Sequence, residues 1–300
     1  MKFAIKNELR SSFNKLDLLG HVKRKKETHL LSSSFHKLDL LGRDKKTKKE
    51  THWLRNSSFS NLDLLGREKK EENHWLTREA LDPSEAAELV RLSHPLGPDP
   101  SVESRTKSIC YLILDNTGTF RKLSQNYFIQ SKVYNGNPKQ GGNRRYYELL
   151  SDEVIASAPM VKALEMCKRK FNLKPGTTML VQIQTTSEER ENGDVTEQGI
   201  HTDGAEEAAI VCLERKNVLG ACTEIYEDIR GEHPLLQDKF LQPGDGLLFR
   251  DNQVYHNVTP ISPKNPEQGP ALRTVLLMHT DSSYLLDGVA NKNNNLYIQD

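Results

Sequence analysis

The sequence predicts a mainly β protein of the α+β class, built as a sandwich or jelly roll with helices on the outside. In residues 208–279, short runs of β-branched and apolar residues alternate with turn signals, and no long helical pattern separates them. Strands spaced in this way form antiparallel sheets, whereas a doubly wound fold needs a helix between consecutive strands. The clearest helical periodicity lies earlier in the chain, at residues 84–92 and 157–173.

An internal repeat sets residues 1–76 apart from the rest. The pattern Ser-Ser-Phe-x-x-Leu-Asp-Leu-Leu-Gly occurs three times, and this region has 18 Lys and Arg against 10 Asp and Glu. Each unit carries the start and stop signals of a two-turn helix, which is marginal alone in water, and its four large apolar residues cannot build a core. We expect an N-terminal repetitive appendage of mobile or short helical segments, followed by one folded domain at residues 77–300.

The elements of the expected domain can be placed in order. The first helix has Ser84 as its N-cap, and a proline-rich connector follows it at residues 94–101. The second helix places Met160, Leu164, Cys167 and Phe171 on one face. Strands are predicted at residues 109–114, 177–185, 208–213, 223–226, 246–249, 254–258 and 273–279.

Composition and the N-terminus favour a cytoplasmic protein. The four cysteines form no Cys-x-x-Cys pair and lie in apolar or helix-like segments, which is typical of reduced, buried thiols. The first residues lack the apolar core of a secretory signal, and no stretch of 18 apolar residues predicts a membrane partner. Acidic residues interrupt the lysine-rich stretches 22–26 and 45–49, so we expect a solvated surface there and no nucleic acid partner.

Three residues predict a metal site. If residues 200–204 are extended, period-2 alternation places His201 and Asp203 on the same face. His256 lies in a later strand-like run and supplies a third ligand. Two histidines and one carboxylate form the facial triad of non-haem Fe(II) oxygenases, which leaves other positions on the ion open. A zinc hydrolase could use the same ligands, but no glutamate is placed as its general base.

The chain contains a second His-x-Asp triplet, His279-Thr280-Asp281. No histidine follows His279 to complete a triad, and the triplet ends an apolar run as the chain leaves the fold. We therefore expect His279 to be structural and His201 to belong to the metal site.

One arginine is placed where a buried cation needs a partner. Arg273 opens the strand-like run 273–279. A guanidinium in a β core is costly unless it meets a carboxylate, which it binds through two parallel hydrogen bonds. We expect that carboxylate to belong to a ligand.

The order His-x-Asp, distal His, then Arg resembles that of 2-oxoglutarate/Fe(II) dioxygenases. Residues 198–204 (Gln-Gly-Ile-His-Thr-Asp-Gly), 244–251 (Gly-Asp-Gly-Leu-Leu-Phe-Arg-Asp) and 256–261 (His-Asn-Val-Thr-Pro-Ile) are similar to the bacterial isoleucine 4-hydroxylase type. The resemblance covers residues 105–282. It implies a cupin-like double-stranded β-helix and a reaction of Fe(II), 2-oxoglutarate and O2 that hydroxylates an unactivated carbon and releases succinate and CO2.

The same resemblance implies a free L-amino acid with an aliphatic or cationic side chain as substrate. Arg144 or Arg145 is a candidate for its α-carboxylate, and Glu197 for its amine; a surface pair stacked on tyrosines is the alternative for the arginines. Gln182 is a candidate contact of 2-oxoglutarate or substrate, unless its strand lies at a sheet edge. A peptide or carrier-bound substrate docked by residues 1–76, a non-catalytic cupin-like binding protein, and self-association as a homo-oligomer stay open.

Overall fold

A computed structural model describes residues 74–77, 80–196 and 198–281 of the chain. Its helices are α1 (Pro83–Ser93), α2 (Asp152–Ala156) and α3 (Ala158–Lys170), and a single 3-10 turn spans Pro266–Gln268. Its strands are β1 (His74–Thr77), β2 (Arg105–Leu114), β3 (Phe120–Leu123), β4 (Tyr127–Ile129), β5 (Arg144–Tyr146), β6 (Glu148–Leu149), β7 (Thr178–Glu188), β8 (Ala208–Lys216), β9 (Val218–Gly220), β10 (Thr223–Tyr226), β11 (Pro234–Lys239), β12 (Gly246–Phe249), β13 (Tyr255–Val258), β14 (Ile261–Pro263) and β15 (Ala271–Thr280).

The largest sheet has the strand order β1-β12-β8-β15-β7-β2-β3, with β6 added in parallel beside β2. All its other neighbours pair antiparallel. Strands β7 and β15 are central, and each is hydrogen-bonded on both sides. Long central strands with paired edges are the most rigid part of such a sheet, so residues on them are held in fixed register.

Three smaller sheets complete the strand layers. They have the orders β11-β10-β13, β14-β9 and β4-β5. The mainly β architecture with antiparallel sheets and few helices, as in a jelly roll, is confirmed. Seven of the predicted strands are present, although β2, β7, β8 and β15 extend beyond the predicted residues.

Period-2 alternation sorts the side chains of the large sheet into two sets. On one face, Val181, Ile183, Leu276 and Met278 join the hydrophobic core formed with α1 and α3. On the other face, alternate residues of the same strands line an interior cavity. Because each strand contributes to both layers, the helices stabilise the outer face of the sheet and leave its inner face for the site.

Helix α1 begins before the predicted N-cap. Asp82, not Ser84, precedes the first helical turn, and its backbone N–H donates to the carboxylate of Glu85 at 2.7 Å. Proline follows at the first helical position, where its missing N–H has no intrahelical partner to lose. The reason is that both Pro83 and Ser84 can join the helix, which moves the cap two residues toward the N-terminus.

The predicted division of the chain at residue 76 falls inside a strand. β1 (His74–Thr77) pairs along its whole length with β12 (Gly246–Phe249) at the edge of the large sheet. The expectation for residues 1–73 lies outside the described residues, and the two-region division stays a prediction. Neither α1, α2 nor α3 has the length and apolar composition needed to cross a membrane. All four cysteines are free and buried, as expected.

Candidate metal centre

Two histidines meet across a single pair of backbone hydrogen bonds. The N–H of His201 donates to the carbonyl of His256 at 3.0 Å, and the N–H of His256 donates back to the carbonyl of His201 at 2.8 Å. Their ring centroids are 4.3 Å apart, and both residues are buried. This isolated bridge brings together two residues that are 55 positions apart in sequence.

A turn, and not a strand, brings Asp203 to the same point. Residues 202–204 form no ladder, which corrects the expected alternation along residues 200–204. Instead, the fully buried carboxylate of Asp251 accepts the backbone N–H groups of Asp203 (3.1 Å) and Ala205 (2.9 Å) and the hydroxyl of Thr202 (2.8 Å). Sequence reasoning did not identify Asp251 as a site residue.

The glycine after the triplet is needed for the same turn. Gly204 has a φ of +78°, a conformation that side-chain-bearing residues rarely adopt. A Cβ at this position would also lie 2.8 Å from the ring of Tyr134. The turn therefore packs closely under the loop between β4 and β5, and only glycine fits there.

The three side chains form a group that could hold one metal ion. One ligand atom from each of His201, Asp203 and His256 lies within 4.8 Å of the others. Asp203 Oδ1 is 3.6 Å from Nε2 of His201, and Oδ2 is 3.4 Å from Nε2 of His256. Another group with metal-ligand spacing in the described residues, Asp228, Glu232 and His233, is on an exposed turn.

Both histidine rings direct Nε2 toward Asp203. Nδ1 of His201 lies 2.8 Å from the carbonyl of Gly199, so it carries a proton and leaves the Nε2 lone pair for an ion. Nδ1 of His256 lies 3.5 Å from Oδ1 of Asp251 and has no hydrogen-bond partner in this geometry. Burial lowers the pKa of His201, but the Asp203 carboxylate and the Gly199 carbonyl outweigh it and raise that pKa above its ordinary value.

His279 also contacts the carboxylate, which the sequence analysis did not expect. Its Nε2 lies 2.9 Å from Oδ2 of Asp203, and its ring lines the cavity. It is not a member of the group of ligand atoms formed by His201, Asp203 and His256. The expectation that His279 is structural and not a ligand stays a prediction, and the structure adds that His279 contacts a residue of the metal group. Burial alone would raise the pKa of Asp203, but the three histidines, led by His279, lower it well below its usual range.

Arg273 lies on the cavity face of β15 and is buried. Its Nε and Nη2 donors have no hydrogen-bond partner among the described residues. Burial lowers the pKa of its guanidinium to about 10. A buried cation with two unsatisfied donors is a site for a carboxylate of a ligand, because such donors are costly to leave unpaired.

The cavity between the sheets encloses about 130 Å³. The metal group and Arg273 both line it. Its other polar side chains include Arg105, Lys107, Gln130, Gln140, Arg145, Gln182, Gln184, Thr196 and Gln198, and its apolar walls are Leu180, Val195, Ile210, Phe249, Val258, Val275 and Leu277. A cavity with apolar walls and converging polar groups suits a small molecule, and here the polar residues outnumber the apolar ones.

Lys107 is a buried cation that sequence reasoning missed. Its Nζ donates to Oε1 of Gln182 at 3.1 Å and lies 4.0 Å from Asp99. Burial is the main cause that lowers its pKa to about 7. β2 starts four residues before the predicted strand, so Lys107 falls on the same face as Ile109. Gln182 is on central strand β7, which rules out the edge-strand alternative, and protein groups engage both ends of its amide.

The two adjacent arginines of β5 point to opposite sides. Arg145 is buried, lines the cavity and donates to the side-chain oxygens of Gln140 (3.3 Å) and Gln130 (3.4 Å). Arg144 is exposed and stacks over the ring of Tyr127 at 4.5 Å. Strand alternation explains the difference, and the position of Arg144 fits the alternative of a surface residue stacked on a tyrosine. Glu197 lies outside the described residues.

A jelly roll whose interior holds two histidines and one carboxylate beside a buried guanidinium defines the class of mononuclear non-haem iron oxygenases. The sequence matches the 2OG-Fe dioxygenase family over residues 91–279. The chain belongs to this family, which implies Fe(II), 2-oxoglutarate and O2 as cofactor and co-substrates. The donor set fits the ion, and the two unsatisfied donors of Arg273 fit a carboxylate of 2-oxoglutarate.

Solved structures with the same fold include a BsmA homologue of Methylobium petroleophilum PM1, with a TM-score of 0.57 and 22% identity over 69% of this chain and 88% of that one. IDO of Bacillus thuringiensis has a TM-score of 0.56 and 16% identity over 70% and 93%. The Fe(II)/α-ketoglutarate-dependent dioxygenase TqaL has a TM-score of 0.53 and 16% identity over 71% and 85%. At these identities the likeness shows the fold.

A curated relative is the bifunctional enzyme FlvA of Aspergillus flavus, which is 23% identical over 221 residues. The match covers 64% of this chain but 26% of FlvA. The chain thus matches about a quarter of that relative's length.

Proposed function

We propose that this dioxygenase hydroxylates an unactivated carbon of a free L-amino acid with an aliphatic or cationic side chain and releases succinate and CO2. In this proposal His201, Asp203 and His256 hold Fe(II), and Arg273 pairs with a carboxylate of 2-oxoglutarate. The iron supplies the oxidising chemistry when it is bound. The protein binds and orients the reactants and keeps water away from them.

The proposed site for 2-oxoglutarate rests on the buried, unpaired donors of Arg273. It is the one arginine among the described residues with both Nε and Nη2 buried and without a hydrogen-bond partner. It shares the cavity with the metal group, so a dicarboxylate can reach both. A bidentate pair with its planar fork would satisfy both donors at once.

Three features support an amino acid as the substrate. The apolar walls of the cavity suit an aliphatic side chain, and Arg145 is a buried cation suited to an α-carboxylate. Among the described residues, the side-chain oxygen Oε1 of Gln198 is buried and has no hydrogen-bond partner, so it can accept a hydrogen bond from an amine. We retain Glu197, in addition to Gln198, as a proposed partner for that amine. A chain anchored in this way would extend its γ or δ carbon toward the metal.

The test is a screen of the proteinogenic L-amino acids with Fe(II), 2-oxoglutarate and O2. We expect one or a few to gain the mass of one oxygen atom in proportion to succinate. Asp203→Ala should abolish both products, whereas Asp228→Ala, at a half-buried carboxylate outside the cavity lining, should leave them unchanged. Product from peptides or a carrier-bound residue, with none from free amino acids, would replace this substrate proposal with the docking alternative for residues 1–76.

The adjacent arginines provide a matched pair for the substrate site. Arg145→Met should raise the KM for the amino acid by about 100-fold, because hydrogen bonds to charged groups contribute about 1.5–3 kcal/mol each. Arg144→Met should leave that KM unchanged, since Arg144 is exposed on Tyr127. Equal KM values for the two variants would contradict the assignment of Arg145.

A further inference from the structure

Four buried or half-buried side chains form one hydrogen-bonded chain that ends on the metal group. Lys107 Nζ donates to Oε1 of Gln182 at 3.1 Å. Nε2 of Gln182 lies 3.2 Å from Nδ1 of His279, and Nε2 of His279 lies 2.9 Å from Oδ2 of Asp203. The first three residues are on β2, β7 and β15, which are adjacent in the large sheet.

The register of the sheet creates this chain. Gln182 is opposite Ile109 on one side and Leu277 on the other. Lys107 and His279 are each two residues from those partners, so both are diagonal neighbours of Gln182 on the same face. All three strands are hydrogen-bonded along this stretch, which fixes the distances between the side chains.

The donors and acceptors determine which nitrogen of His279 carries the proton. Lys107 donates to Oε1, so the NH2 group of Gln182 faces the imidazole. An amide N–H can only donate, which makes Nδ1 of His279 the acceptor and places its proton on Nε2. That Nε2–H then donates to Oδ2 of Asp203.

We propose that His279 is a positioning residue, which holds Oδ2 of Asp203 so that Oδ1 remains for the metal. The inference rests on the metal site of the proposed function. Oδ1 is 3.6 Å from Nε2 of His201, while Oδ2 lies 2.9 Å from Nε2 of His279 and 3.4 Å from Nε2 of His256. A carboxylate with both oxygens free can bind a cation through both, which would occupy a position needed by a co-substrate.

Metal affinity measured without turnover tests the proposal. Co(II), which absorbs visible light, is titrated into the metal-free full-length protein and its variants, and the Kd is obtained from the absorption. His279→Leu should weaken binding by about 10- to 100-fold, as is typical when a partner of a metal ligand is lost. His279→Gln should bind within a few-fold of wild type, because its amide N–H can replace Nε2–H.

Further variants separate positioning from a general packing effect. Gln182→Leu should weaken Co(II) binding by less than His279→Leu, since it removes only the group that fixes the tautomer. The exposed His233→Leu, which disrupts the second group of possible ligands, should leave the Kd unchanged. The Co(II) spectrum of His279→Leu should differ from wild type at saturation, because the carboxylate changes its binding mode.

The outcomes distinguish this inference from the metal site itself. Wild-type protein that binds no Co(II) would overturn both. Wild-type binding with an equal Kd and spectrum in His279→Leu would overturn the positioning role alone. If His279→Leu does not fold, His279→Gln tests the positioning role. A folded His279→Gln protein whose Kd for Co(II) is weakened by 10-fold or more would overturn that role, because the N–H donor would then not be the essential feature of His279.

Discussion

Replacing Arg273 with methionine should stabilise the ligand-free protein and, at the same time, weaken the binding of 2-oxoglutarate. Burial lowers the pKa of this guanidinium below its ordinary value, to about 10. At about 1.4 kcal/mol per pKa unit, the buried charge costs the folded state about 3 kcal/mol. Exchange of buried charges for apolar residues is often neutral or stabilising by about 1–4 kcal/mol. We therefore expect Arg273→Met to gain about 1–3 kcal/mol in the free energy of unfolding.

The loss of affinity follows from the same two donors. Nε and Nη2 have no partner in the part of the chain that the structure describes, and each hydrogen bond to a charged group contributes about 1.5–3 kcal/mol. Losing both should cost about 3 kcal/mol or more, which is about 100-fold in the Kd for 2-oxoglutarate. Arg273→Lys is the control that keeps the charge without the planar fork. Arg273→Lys should have the same free energy of unfolding as wild type, and its affinity for 2-oxoglutarate should lie between those of wild type and Arg273→Met.

Two measurements check these expectations. Chemical unfolding of the metal-free protein gives the change in stability, and calorimetric titration of 2-oxoglutarate into the Co(II)-loaded protein without O2 gives the Kd. A variant Arg273→Met that is less stable than wild type, but binds 2-oxoglutarate equally well, would refute the reasoning. Arg273 would then be a structural residue of β15.

The remaining predictions concern the support of the site. Asp251→Ala removes the acceptor of three hydrogen bonds, so it should lower the free energy of unfolding by about 3 kcal/mol and weaken Co(II) binding. An Asp251→Ala protein with the stability and the Co(II) Kd of wild type would contradict the role of Asp251 in holding Asp203. Lys107→Met should be more stable than wild type below pH 7, where Lys107 is charged in both the folded and the unfolded protein. The difference in stability should shrink between pH 7 and 10.5, because there the folded wild type binds fewer protons at Lys107 than the unfolded chain does. Urea unfolding at several pH values measures this difference. Deletion of residues 1–73 should leave the thermal midpoint unchanged, while deletion of residues 1–79 should lower it, because only the second removes the pairing of β1 with β12.

Much of the site could be predicted because its residue types are chemically specific. Two histidines and a carboxylate have few alternative uses, and an arginine inside an apolar strand needs an anion. Seven of the fifteen described strands were also predictable, since their alternation is local in sequence. The strand β10, for example, has the predicted bounds, because the apolar run and its flanking turn signals coincide with the paired residues.

Strand alternation carries two further pieces of information about the site. His279 is an even number of residues beyond Arg273 on β15, so the alternation that places Arg273 in the cavity places His279 there too. The same rule separates Arg145 from Arg144 on β5, but no local pattern says which of the two faces inward. That depends on how β5 pairs with β4 and on the loop that brings Gln130 and Gln140 next to Arg145.

Residue types and spacing alone predicted two histidines and a carboxylate as metal ligands and the order of the segments that carry them. They also predicted that Arg273 pairs with a carboxylate of a bound molecule. The tertiary structure alone decided how Asp203 is held, because Asp251 is 48 residues away and acts through backbone groups that no side-chain pattern reveals. It also decided the contact of Lys107 with Gln182, and of Gln182 with His279. Those contacts follow from the register between strands up to 97 residues apart, which local periodicity does not specify.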